Sequence, residues 1–81
     1  MKKKITPIRG AYIFELEKFE DDRGFFIETW NYKKYGLPDF VQDNLSRSKK
    51  GVLRGLHYQQ ESKAQDKLVC CTRGIVFDVI V

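Results

Sequence analysis

The side chains best able to do chemistry sit in one run, Arg54-Gly55-Leu56-His57-Tyr58-Gln59, which places a guanidinium, an imidazole, a phenol and an amide within six positions. His57 is the chain's single histidine, and an imidazole can take up and return a proton near neutral pH. Lys67 follows one polar loop later. Arg23 and Arg54 carry planar forks that match phosphate and carboxylate oxygens, so individual arginines suit a diphosphate. Each of these residues also has a plainer use. A histidine in a strand is often a hydrogen-bonded structural residue. Arg23 and Glu28 suit surface ion pairs, and Gln42 and Asn44 suit capping of a strand edge.

The elements that would position them read mainly as strands. A regular strand over 52–59 would send Arg54 and His57 to opposite faces, because side chains alternate with a period of two. Gly55 permits a β-bulge that would bring both to one face. Lys49-Lys50-Gly51 is a turn into this run, and a polar loop from Gln60 to Gln65 leads to a strand over Lys67 to Thr72. A final strand follows Arg73-Gly74. Upstream, Tyr12 to Glu17 and Phe25 to Trp30 are β-rich runs separated by the polar turn Glu20 to Gly24. Asn31 offers a helix cap and Gly36 a stop, which predicts a helix of one or two turns between them. After the break at Gly36-Leu37-Pro38-Asp39, Phe40 to Ser46 reads as extended. Five or six short strands with no long amphipathic helix predict an all-β fold, an antiparallel β-sandwich or barrel.

Composition narrows the class. A chain of 81 residues, 42% hydrophobic and 14% aromatic, supports one small core and no second domain. At this length folding buries only roughly 60% of the surface that the unfolded chain exposes, so a partner subunit or further chain is expected to cover the rest. The net charge of +4 draws on Lys2, Lys3 and Lys4, read as a solvated terminus. No basic stripe alternates with stacking aromatics, which argues against a nucleic-acid partner. Cys70 and Cys71 are adjacent and would point to opposite faces of a strand, as reduced, buried thiols. With one histidine and no Cys-x-x-Cys pair, no metal site is expected. No signal-peptide core and no run of about 18 apolar residues occurs, so a soluble, cytoplasmic protein without a membrane partner is expected. The sequence stops at Asp78-Val79-Ile80-Val81 within an apolar β-run, which reads as a fold incomplete at its C-terminus.

Four spaced motifs occur in order: Asp22-Arg23-Gly24-x-Phe26-x-Glu28, Gln42-Asp43-Asn44-x-Ser46, Leu53-Arg54-Gly55-Leu56-His57-Tyr58-Gln59, and Gln65-x-Lys67-Leu68-Val69. Together they resemble the dTDP-4-dehydrorhamnose 3,5-epimerase family over residues 12–81. The resemblance implies a cupin-like jelly roll of which residues 1–81 are the N-terminal portion, usually a homodimer, working without metal or organic cofactor. It implies a dTDP-4-keto-6-deoxyhexose substrate of the rhamnose pathway, whose C3 and C5 protons lie α to the C4 ketone. By the same resemblance His57 abstracts the proton and Lys67 faces the enolate oxygen. Arg23, Glu28, Gln42, Asp43, Asn44 and Arg54, with Lys67, would bind substrate, and Phe26 would add apolar contact. The family also implies a later carboxylate that orients the histidine and a later tyrosine that acts on the opposite sugar face. Neither is present among these residues, so weak or no activity is expected of the 81-residue chain alone. A single-centre epimerase or ketoisomerase of dTDP-sugars, or a nucleotide-sugar-binding remnant without catalysis, are the alternatives. A metal-dependent cupin oxygenase is disfavoured, since His57 is the lone histidine.

Overall fold

Lysines are poor strand formers, yet Lys2–Ile5 forms the first strand, β1, in the computed structural model, which describes residues 1–81. What makes it a strand is its partner. β1 pairs antiparallel with β2, Tyr12–Glu15, in the register Lys2↔Glu15, Lys3↔Phe14, Lys4↔Ile13 and Ile5↔Tyr12. Alternation then puts Lys4 on the same face as Glu15, with which it forms an ion pair. Lys3 falls on the opposite face, its ammonium 4.1 Å from the centre of the Tyr12 ring. In the connection the Thr6 hydroxyl donates to the Ala11 carbonyl at 2.8 Å and accepts from the Ile8 N–H at 3.2 Å. The lysine run is therefore exposed, as its charge requires, but it is a paired strand and not a loose terminus.

A second hairpin joins β3, Lys18–Asp21, to β4, Gly24–Ile27, through the two residues Asp22 and Arg23. Phe19 lies opposite Phe26, and Glu20 opposite Phe25. Lys18 sits 4.6 Å from the Phe25 ring centre and 3.0 Å from Glu20. The helix expected after Asn31 forms as one turn, α1, over Tyr32–Tyr35. The Asn31 side chain accepts from the Lys34 N–H at 3.1 Å, meeting one otherwise orphaned donor. Gly36 closes the turn at φ 60°, a left-handed conformation that glycine adopts without a Cβ clash.

Two units can be distinguished along the chain, Met1–Leu37 with Asp78–Val81, and Pro38–Phe77. The first carries both hairpins and α1. Its centre is Tyr35, the one buried hydrophobic residue, at 4% exposure. The Tyr35 ring packs 4.9 Å from Phe14 and 5.0 Å from Trp30, and its hydroxyl donates to the Thr29 carbonyl at 3.0 Å. The second unit has one regular element, a 3₁₀ turn over Glu61–Lys63, and the turn expected at Lys49-Lys50-Gly51, closed by Val52 N–H on the Lys49 carbonyl at 3.2 Å.

All the strands are antiparallel and the helical content is a single α-turn and a 3₁₀ turn, which is an all-β chain. The strands expected over 52–59, 67–72 and after Gly74 are not formed, and 40–46, read as extended, joins no sheet. Their backbones join no ladder, and a strand exists only through its ladder. Gly55 therefore carries neither a regular ladder nor a bulge; its φ of 118° breaks the extended run outright. Cys70 and Cys71 are unpaired thiols as expected, but exposed and not buried, for the same reason. No helix is long and apolar enough to cross a membrane.

Candidate functional site

Within the first unit the candidate residues fall around the second hairpin. Arg23 occupies the tight turn, where Asp21 holds it at three points. Asp21 Oδ1 accepts from the Arg23 backbone N–H at 2.8 Å, an Asx turn that stabilises the reversal. Asp21 Oδ2 accepts from Arg23 Nη2 at 2.6 Å and from Nε at 3.2 Å. The guanidinium hydrogen bond, followed by the backbone one, holds the Asp21 carboxyl below its ordinary value of 3.8. Beside them is an open depression of about 390 Å³ whose walls include Phe19, Asp21, Arg23, Phe25 and Phe26.

Glu28 leaves the end of β4 and meets Lys34 of α1, Nζ to Oε1, at 3.1 Å. The Lys34 hydrogen bond lowers the Glu28 carboxyl below its ordinary 4.5, with a smaller contribution from Asn31. A second, smaller depression of about 110 Å³ is bordered by Glu28, Lys34, Tyr35, Phe19 and Phe26. The paired phenylalanines Phe19 and Phe26 thus border both hollows, so Arg23 and Glu28 are brought to one aromatic patch.

In the second unit the candidates are exposed. Gln42 Nε2 donates to Asn44 Oδ1 at 3.2 Å, and Asp43 between them faces solvent. Arg54 turns back onto the preceding loop, donating from Nε to Ser48 Oγ at 2.8 Å and from Nη2 to the Arg47 carbonyl at 3.0 Å. His57 and Lys67 are exposed and take part in no hydrogen bond or ion pair within the chain. No hydrogen bond or ion pair joins Arg54, His57 and Lys67 to one another.

Two residues that the motif reading passes over stand out. Asp21 lies one position before the first motif, and its signal is an acid two residues ahead of an arginine in a hairpin turn. Lys34 has a weaker signal, since its pairing with Glu28 depends on the turn of α1.

Residues 5–81 match the family model described as dTDP-4-dehydrorhamnose 3,5-epimerase. The proteins of that name from Escherichia coli (strain K12) and Methanothermobacter thermautotrophicus are 56% and 52% identical to this chain. Each alignment takes in 94% of the chain, and 44% and 43% of the respective relative. The Pseudomonas aeruginosa protein of the same name is 52% identical over 100% of the chain and 47% of its own length. The chain thus spans about half the length of the curated relatives it matches. No solved structure matches it. With the family match reaching from residue 5 to residue 81 and taking in every candidate residue from Arg23 to Lys67, the chain belongs to the dTDP-4-dehydrorhamnose 3,5-epimerase family.

Proposed function

We propose that the protein epimerises C3 and C5 of a dTDP-4-keto-6-deoxyhexose in the dTDP-L-rhamnose pathway, with His57 as the base. The observation that carries this is the family match over residues 5–81, which includes the whole Arg54 to Gln59 run and Lys67. His57 takes the proton from C3 or C5, and the electron pair of that C–H bond moves onto the C4 carbonyl oxygen as an enolate. Lys67 stabilises the developing oxyanion. Return of a proton to the opposite face inverts the centre. The reaction moves only protons, so it consumes no redox or organic cofactor. Arg23 and Arg54 bind phosphate oxygens, and Glu28, Gln42, Asp43 and Asn44 bind the polar groups of nucleotide and sugar.

The exposed positions of His57 and Lys67 and the separate hydrogen bonding of Arg54 support a further part of the reading: the 81 residues alone turn over slowly or not at all. The complete unit is a cytoplasmic homodimer in which residues 1–81 are the N-terminal portion of one cupin-like jelly roll. Deuterium wash-in tests the function. Incubated with the keto sugar in D₂O, a longer form is expected to incorporate label at C3 and C5, the 81-residue chain little, and His57→Ala of the longer form none. Absence of exchange in both forms rejects the proposal. Label at one centre only would favour the single-centre epimerase.

A further inference from the structure

We propose that Asp21 is a positioning residue for Arg23, holding one edge of the guanidinium so that the other edge is presented to the diphosphate of a nucleotide sugar. This rests on the reading of Arg23 as a phosphate-binding residue. Three hydrogen bonds from Asp21 fix the turn and the fork together, through the Arg23 backbone N–H, Nε and Nη2. A guanidinium has five N–H donors, and the carboxylate uses two of them. The remaining three point away from Asp21, and the side chain is 89% exposed, so an anion can reach them. Phe19, Phe25 and Phe26 line the adjoining depression of about 390 Å³ and give a ligand there an apolar wall.

The carboxylate has two opposing effects on a bound diphosphate. It offsets part of the arginine charge, and it removes rotamer freedom that a loose arginine would lose on binding. At this exposed site solvent and salt screen the repulsion between carboxylate and phosphate across the guanidinium. The direct N–H to phosphate bonds depend on fork geometry and keep their strength, so pre-positioning wins.

Titration calorimetry of the longer form used for the exchange test with dTDP, read beside the ¹⁵Nε signal of Arg23, tests this. Asp21→Asn keeps an oxygen for the Asx turn but loses the anionic oxygen that grips the fork. It is expected to weaken dTDP binding about three- to fivefold, within the range of an exposed ion pair, while the Arg23 amide signal stays in place. Arg23→Gln is expected to weaken binding more than about tenfold, and the double variant no further. Unchanged or tighter binding by Asp21→Asn overturns the positioning role, as does a loss that persists at full size in the Arg23→Gln background. If the parent chain does not bind dTDP, or Arg23→Gln binds it as well as the parent, the phosphate-binding reading of Arg23 fails instead.

Discussion

Arg23 and Glu28 each combine a place in a family-like motif with a surface ion pair. The pairs, with Asp21 and Lys34, are those that their residue types suggest. An ion pair does not preclude ligand binding, because a guanidinium or carboxylate keeps further donors or acceptors free. Their partners have a measurable signature. Both acids, Asp21 and Glu28, have folded pKa values below the ordinary 3.8 and 4.5. Their contribution to folding is therefore complete above the ordinary values and is lost as pH falls through the lowered ones. Carboxyl ¹³C titration is expected to show both midpoints lowered. Lys34→Met is expected to raise the Glu28 midpoint towards 4.5 while leaving Asp21 in place. An unmoved Glu28 midpoint would remove Lys34 as its partner. Lys34 could not be named from residue types alone, since its pairing needs the turn of α1 to close first.

At the level of elements, the legible features were those encoded by neighbours in sequence. The one-turn helix follows from Asn31 and Gly36, whose roles depend on contacts within four residues. Asn31→Ala is expected to cost about 1 kcal/mol through loss of the cap. Gly36→Ala is expected to cost a similar, roughly 1 kcal/mol sum from backbone strain, since an added Cβ would meet nothing within 4 Å. Faster exchange of the Lys34 and Tyr35 amides checks both. β2 and β4 were legible as apolar β-rich runs, and the turn at Lys49-Lys50-Gly51 as turn chemistry. β1 and β3 were not, because Lys2–Ile5 and Lys18–Asp21 are mostly charged and owe their strand state to the backbone beside them. The converse holds for 52–59 and for the run after Gly74, which have strand-like composition and no ladder.

On the scale of the molecule, the chain exposes 8815 Å², against about 5,000 Å² expected for a folded monomer of this mass. Ile75, Phe77 and Val81 are 99%, 95% and 92% exposed, and Tyr35 is the one buried hydrophobic residue. Such a chain by itself is expected to bind the dye ANS and to melt over a broad range without a sharp cooperative transition, as circular dichroism would record. Phe77→Lys is expected to reduce its aggregation in light scattering and leave the melting curve unmoved, because the ring it removes packs on almost nothing. A cooperative melt without dye binding would contradict this picture. Sequence by itself determined the family, the all-β class, the identity of the candidate base and the caps of α1. These rest on residue identity or on contacts a few positions apart. Only the tertiary structure decided that a lysine run pairs as β1 and that Lys34 meets Glu28. Those outcomes depend on which backbones and side chains meet in space, and no local pattern of residues specifies that.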